Sequence, residues 1–363
     1  VKVPFTLPVR HNLADHRQVV TIIVGMTTTT GARGFGEGIP RSFVTGETLA
    51  ASLNLLQSSL VPQVRSQTFA GPEALRAFLS DLGEEAATAP AAFCAWETAL
   101  LDAAARSWGL SMATLLDLPP QPAATYSAVL PLADAQQMAH FLGLAKKFRI
   151  QHVKLKVGTP DDARVAATVR EVLGPGVDLR IDANAAWTPE EAIMNIKRLA
   201  AFNLSAVEQP VAKDDLTGLR QVQAAVDIPV IADESLCSLA DAKNLIDLGA
   251  CQMFNLRLSK CGGLMQTRKI WQLAREAGIA CQLGCHVGET SILAAAGRHV
   301  ALGLDGLRYV EGSLAPLYLS RDLVAEPLFI GPGGRGEALP GPGLGVEVMP
   351  EAVRDLAVIH RVM

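Results

Sequence analysis

From residue 125 onward, short apolar runs alternate with longer stretches in which apolar residues recur every three or four positions. The runs occupy 125–130, 152–157, 179–183, 206–209, 230–233, 253–258, 280–284 and 307–311. Their length, and their lack of polar alternation, predict parallel strands buried on both faces. The helical patterns between them cover 133–147, 161–173, 189–201, 217–225, 239–248, 264–277 and 290–303. Eight strands alternating with seven helices predict an α/β fold, a modified (β/α)8 TIM barrel of the (β/α)7β type whose last helix is abbreviated.

Residues 1–118 lack this rhythm and predict an α+β cap. Val1-Lys2-Val3-Pro4-Phe5 reads as a strand, and 19–24 is a β-branched run. The Thr-rich 27–30 with Gly31 predicts a hairpin turn before Gly34-Phe35-Gly36-Glu37-Gly38. Helical patterns follow at 46–60, 71–82 and 91–108. The last is small and apolar almost all round, which places it between layers. The polar segment Arg10-His11-Asn12-Leu13-Ala14-Asp15-His16-Arg17 is expected to be a loop, either simply solvated or lying over the barrel mouth. Pro119-Pro120-Gln121-Pro122 reads as a linker into the barrel, 123–320. The glycine- and proline-rich tail, 321–363, is expected to return to the cap.

A net charge of −4 gives no reason to expect nucleic acid or an anionic membrane as partner. No run approaches eighteen apolar residues, so no membrane span is predicted. The first residues read as a strand rather than a signal peptide. Six scattered cysteines without a CxxC pair predict reduced thiols and a cytoplasmic setting.

Three predicted strands end in a carboxylate: Asp182, Glu208 and Asp233, spaced 26 and 25 residues apart. That interval fits one strand, one helix and two loops, so the acids converge on one barrel mouth. Three hard oxygen donors there suit Mg²⁺, or Mn²⁺ as a second choice. The alternative is three unrelated acids capping the helices that follow. One strand earlier, Lys154-Leu155-Lys156 points two ammonium groups to the same side. Their repulsion is expected to lower at least one pKa and make a general base. Lysines beside metal carboxylates suit removal of a proton next to a substrate carboxylate, through an enediolate.

Lys154-x-Lys156, Asp182-x-Asn184, Glu208-Gln209-Pro210, Asp233-Glu234-Ser235 and Lys260-x-Gly262-Gly263, in this order, resemble the enolase superfamily in its muconate-lactonizing-enzyme subgroup. The resemblance covers nearly the whole chain, including Val44-Thr45-Gly46-Glu47-Thr48 in the cap. It implies that Asp182, Glu208 and Asp233 bind Mg²⁺, with Asn184 and Glu234 in support. It also implies Lys156 as base, Lys154 as its assistant, the segment near 10–17 as a specificity loop, and a homo-oligomer (dimer or octamer).

One departure matters most. The family normally carries a second catalytic lysine three residues before the position of Lys260, and here that residue is Arg257. Arginine stays protonated and is a poor base, although it can pair with a substrate carboxylate. Lys260 is a candidate replacement, but strand alternation points it away from Arg257. His286 stands where mandelate racemase relatives carry a catalytic histidine, yet the Asp they pair with it is again Arg257 here. It is either a structural residue or a second acid or base. Glu311 resembles a family glutamate that hydrogen-bonds the developing enolate; otherwise it is a charge partner for Arg257 or a lysine. One-base chemistry therefore ranks first, with a cycloisomerase of the muconate-lactonizing kind acting on a small carboxylate. An o-succinylbenzoate-synthase-like or acid-sugar dehydration, a dipeptide or N-acylamino-acid epimerisation, and a non-catalytic binding protein follow.

Overall fold

The computed structural model describes residues 1–119 and 121–362; Pro120 of the linker and Met363 at the end of the tail lie outside the described residues. The cap begins with two antiparallel pairs, β1 (Lys2–His11) with β2 (Ala14–Val20) and β3 (Ile22–Thr27) with β4 (Arg33–Gly38). The segment expected as a polar loop is thus a hairpin with only Asn12 and Leu13 in its turn. Its charged residues alternate along strands that are solvated at the tip, a pattern that looks like a loop in sequence.

Helix α1 (Leu49–Leu55) runs into a π-turn at Leu56–Leu60 and then a short turn at Val61–Val64. Pro62 has no N–H to offer Ser58, and the widened turn accommodates its ring, which interrupts the predicted single helix. Next come α2 (Pro72–Ser80) and α3 (Pro90–Trp108), the latter buried on nearly every side through Ala105. Its Ala91, Ala95, Ala99 and Ala103, spaced by four, lie flush against Gly34, Gly36 and Gly38 of β4, spaced by two. A Cβ at Gly36 would run into the backbone of Ala95 and Ala99. Four helix residues advance about 6 Å and two strand residues about 6.6 Å, so the two small-residue stripes keep step.

After β5 (Ala123–Thr125) come eight parallel strands: β6 (Ala128–Leu130), β7 (His152–Lys156), β8 (Asp178–Asp182), β9 (Leu204–Glu208), β10 (Val230–Ala232), β11 (Met253–Leu256), β12 (Ala280–Leu283) and β13 (Leu307–Val310). Between them run α4 (Ala135–Lys147), α5 (Asp162–Leu173), α6 (Pro189–Leu199), α7 (Leu216–Ala225), α8 (Leu239–Leu248), α9 (Gly263–Glu276) and α10 (Ser291–Gly303). The strands pair in sequence order, and a Tyr126–Val310 bridge with a Ser127 N–H bond to Val310 O joins the two ends. Among the described residues the short Ala315–Tyr318 helix takes the place of a full eighth barrel helix after β13, before the tail begins, so the barrel is of the (β/α)7β type. The tail pairs β14 (Arg335–Glu337) with β5 and reaches the cap through Leu344 N–H, which donates to Asp102 on α3.

All six cysteines are free. Among the described residues no helix is long and apolar enough to cross a membrane.

Candidate active site

The barrel register sets the site. Lys154 lies beside Arg180, Lys156 beside Asp182, and Asp182 beside Glu208, so three strands carry charged side chains on shared rungs. Just past the strand ends the backbone turns sharply. Asn184 (φ 42°), Ala185 (φ 59°) and Gln209 (φ 35°) sit in left-handed conformations, which non-glycine residues adopt at a cost of order 1–3 kcal/mol. Gln209 holds the turn in place: its Oε1 accepts from the N–H groups of Asp233 (2.9 Å) and Ser235 (3.1 Å).

The mouth is an ion-pair network. Lys154 Nζ contacts Glu208 (3.1 Å), Glu311 (2.8 Å) and Asp182 (3.3 Å). Lys156 Nζ donates to Asp182 Oδ2 (2.6 Å) and Asn184 Oδ1 (2.7 Å). Asn184 in turn donates to Glu234 Oε1 (2.9 Å). Arg257 pairs with Asp233 and, at 3.6 Å, with Glu208. Lys260 Nζ donates to Asp233 Oδ1 (2.9 Å) and to the carbonyls of Asp233 and Asn255.

Two expectations change here. Burial alone lowers the Lys154 pKa, but Glu208, Glu311 and Asp182 raise it further than burial lowers it, so the lysine pair does not weaken this ammonium. Lys154 therefore positions carboxylates and stays charged. Lys260 is fully buried and fixed on Asp233, away from the cavity, so it does not replace the missing lysine. Glu311 pairs with a lysine, Lys154, as one option allowed, and with Arg180 rather than Arg257.

Arg180, Asn255 and Gln282 escaped the sequence reading. Arg180 Nη2 donates to Glu311 (2.5 Å) and Nη1 to Ser127 Oγ (3.1 Å), with its guanidinium over the Tyr309 ring. Asn255 and Gln282 donate to the two Glu208 oxygens, at 2.9 and 2.7 Å. The signal was present in the alternation: Arg180 shares a strand face with Asp182, and Asn255 with Arg257.

A cavity of about 90 Å³ opens above this network. Lys154, Lys156, Asn184, Glu234, Arg257, His286 and Glu311 reach it from the barrel, while Arg10, His11, His16, Arg41 and Phe43 reach it from the cap. The hairpin tip is tied over the mouth, because Asn12 Nδ2 donates to Val157 O (2.6 Å) and Ala183 O (2.7 Å) at the ends of β7 and β8. His11 and His16 face each other at 3.0 Å. Burial pushes them down to about 3 and about 4, helped by Lys156 at His11 and Arg41 at His16, so both are neutral near pH 7. His286 is buried with neither ring nitrogen hydrogen-bonded, and burial, Arg257 and Arg41 hold its pKa well below the usual histidine range.

Among the described residues no three or more His, Cys, Asp or Glu side chains are arranged as a ready metal site. Lys154, Lys156, Arg257 and Lys260 hold the three strand-end carboxylates instead. The donor set nevertheless fits a hard divalent cation. Asp182, Glu208 and Asp233 are fully buried on adjacent strands, and Glu234 Oε2 has no partner. Burial and the neighbouring Asp182 and Asp233 push Glu208 up to about 8 in spite of Lys154, the mark of a site short of positive charge.

Residues 1–117 match the family model for the mandelate racemase / muconate lactonizing enzyme N-terminal domain, and residues 134–352 match the enolase C-terminal domain-like model. The chain belongs to the enolase superfamily. A hydrophobic dipeptide epimerase of Enterococcus faecalis is 36% identical over 284 residues, 77% of this chain and 78% of its own length. Muconate cycloisomerase 1 of Rhodococcus opacus is 31% identical, covering 97% of this chain and 95% of its own. The structure of the Enterococcus faecalis dipeptide epimerase with Mg and the dipeptide L-Leu-L-Tyr matches with a TM-score of 0.84 at 30% identity, over 96% of this chain and 97% of that one. The superfamily relatives thus include an epimerase as well as a cycloisomerase, and this chain is an enolase-superfamily enzyme with muconate-lactonizing-enzyme-like members among its relatives.

Proposed function

We propose that this enzyme is an isomerase or lyase that moves a proton next to the carboxylate of a small substrate, through an enediolate, with Lys156 as its one lysine base. The observation that carries this reading is the pairing of opposite walls. β7 and β11 are four strands apart in an eight-stranded barrel, so Lys156 and Arg257 approach the cavity from opposite sides. Lys156 takes or delivers the proton on one face. Burial alone lowers the Arg257 pKa, but Asp233, Glu208, Glu234 and Glu311 drive it well above its ordinary value. Arg257 therefore stays cationic and offers charge rather than a base on the other face. Lys154 holds Glu208, Glu311 and Asp182 in place. Asp182, Glu208 and Asp233, with Asn184 and Glu234 beside them, are the residues that would hold Mg²⁺ or Mn²⁺. Such an ion supplies positive charge to a substrate carboxylate and to the negative charge that develops next to it.

One base suits cycloisomerisation of the muconate-lactonizing kind, with syn-elimination next. Dipeptide or N-acylamino-acid epimerisation is the second reading. The epimerase relative favours it, and so does the unpartnered His286 in the cavity wall, which would serve the second face. The test is proton exchange followed by NMR in D₂O with Mg²⁺, on a pool of muconates, dipeptides, N-acylamino acids and acid sugars. Lys156→Ala is expected to reduce exchange by about 10²–10⁴-fold. Exchange of a single stereoisomer supports one base, and exchange of both supports the epimerase. Exchange that persists undiminished in Lys156→Ala refutes the role of this lysine.

A further inference from the structure

We propose that Arg180 is a positioning residue for proton transfer: seated on the Tyr309 ring, it fixes Glu311 and, through Glu311, the Lys154 ammonium. This inference rests on the reading of the mouth as a proton-transfer site served by Lys156.

β8 and β13 face each other inside the closed barrel. Asp178, Arg180 and Asp182 share one face of β8, and Tyr309 shares a face with Glu311, which directly follows β13. Tyr309 Oη donates to Asp178, 3.2 Å from each of its oxygens, and Ser205 Oγ donates to the same carboxylate. The Tyr309 ring clusters with Ala206, Ile231 and Met253. The Arg180 guanidinium lies over that ring, 4.2 Å from its centroid. Arg180 Nη2 then donates to Glu311 Oε1 (2.5 Å), and Glu311 Oε2 accepts from Lys154 Nζ (2.9 Å). A column of side chains thus rises from the start of β8 to the mouth.

Arg180 has no exposed surface, and its Nε has no hydrogen-bond partner. A guanidinium buried this way is costly unless other contacts hold it. Its Nη bonds to Glu311 and Ser127 and the aromatic face beneath it do so. Glu311 depends on Arg180 in turn, because among the described residues it forms ion pairs only with Arg180 and Lys154. The other carboxylates around Lys154 are held from more sides. Glu208 also accepts from Asn255 and Gln282, and Asp182 from Lys156 and the Asn184 N–H. Asp182 and Glu208 belong to the set that would hold a divalent cation. Glu311 does not, so it is the carboxylate that can be dedicated to Lys154. Lys154 and Lys156 both contact Asp182 Oδ2, at 3.3 and 2.6 Å. A displaced Lys154 is therefore felt at the base through one shared oxygen.

The first readout needs neither substrate nor metal. The Glu311 carboxyl carbon is followed by NMR across pH in the whole protein labelled with ¹³C-glutamate, its signal identified by its absence from Glu311→Gln. Arg180→Met is expected to raise the titration midpoint, an about 10- to 1,000-fold change in acid constant. Arg180→Lys should restore most of the wild-type behaviour. Tyr309→Phe keeps the ring face and should match the wild type, whereas Tyr309→Leu should move the midpoint up by less than Arg180→Met. A Glu311 signal that titrates alike in the wild type, Arg180→Met and Tyr309→Leu overturns the proposal. If circular dichroism shows that Arg180→Met does not fold, the contrast between Tyr309→Phe and Tyr309→Leu decides it.

The second readout is proton exchange in D₂O with Mg²⁺. Arg180→Met should lower the rate at saturating substrate by about 10- to 100-fold and leave the half-saturating concentration nearly unchanged. In a Glu311→Gln background the same substitution should cost nothing further. An equal loss with and without Glu311 makes Arg180 a purely structural residue and overturns the proposal. Failure of the Lys156 reading appears separately: exchange is then undiminished in Lys156→Ala or absent from the wild type, while the Glu311 signal still decides the role of Arg180.

Discussion

Two sets of buried carboxylates lie within one chain and are treated in opposite ways. At the barrel mouth, burial alone raises Asp233, but Arg257 and Lys260 together bring it down to about 2. Asp182 and Glu311 are likewise held below the usual range, Asp182 by Lys156 and Lys154, Glu311 by Lys154 and Arg180. Where cap meets barrel, Glu37 and Glu97 are as deeply buried but among the described residues meet no cation within ion-pair distance. Glu37 accepts from Thr290 Oγ1 (2.6 Å) and Leu293 N–H (3.0 Å) at the start of α10, and Glu97 from Leu264 and Met265 N–H at the start of α9. Backbone donors satisfy their geometry without neutralising them, so burial pushes Glu37 up to about 7 and Glu97 up to about 8. The difference separates two uses of one functional group. The mouth keeps Asp182, Asp233 and Glu311 charged by pairing them with cations, while Glu208, at about 8, is the one that still lacks positive charge. The seam uses its carboxylates as caps that dock an N-terminal domain onto barrel helices.

The sharpest way to break this contrast is to remove a mouth cation. Lys154→Met leaves Glu208, Glu311 and Asp182 without their shared ammonium, and breaking a buried pair from one side costs about 3–5 kcal/mol. Denaturant unfolding is expected to show a loss of that size, together with loss of proton exchange. A change below about 1 kcal/mol would mean that the mouth is not held by charge.

A seam carboxylate should cost less. Glu97→Ala strands the N–H groups of Leu264 and Met265, with no charge left unpaired. The expected loss is about 1–3 kcal/mol. α9 begins at Gly263, directly after the Lys260 turn that fixes Asp233, so proton exchange should weaken by less than in Lys154→Met. Equal losses in the two variants would erase the distinction between mouth and seam.

The barrel was legible because most of its strands are buried on both faces and so appear as largely apolar runs close to the observed strands; the expected run 125–130 is the exception, since its first residue ends β5, which pairs with the tail, and only Ala128–Leu130 joins the barrel. The strand-end acids were legible for the same reason: a carboxylate that ends such a run has few places to point. The hairpin over the mouth was not, since its tip is solvated and its polar residues imitate a loop. The pairings were out of reach too. Lys154 meets Glu311 across 157 residues, and Arg180 meets it across 131. Only barrel closure brings them together.

The smallest expected effect is a slope. Glu37 and Glu97 have folded pKa values raised above an unfolded value near 4.5. The folded state therefore binds more protons than the unfolded state between about pH 4.5 and 8. Their contribution to stability is fully present below that window and is lost as pH rises through the folded values. The mouth carboxylates that are held low act in the reverse sense, and only toward acid pH. Between pH 5 and pH 9 the wild-type melting temperature should fall gently only in the upper half, because below about pH 6.5 the depressed His11 and His16 act in the opposite sense. In Glu97→Gln, which keeps an acceptor but cannot ionise, the fall should be shallower over the upper half of that range. Melting curves at five pH values for the two proteins check this. Parallel slopes would mean that Glu97 is charged in the folded protein, and that the seam balances its carboxylates as fully as the mouth does.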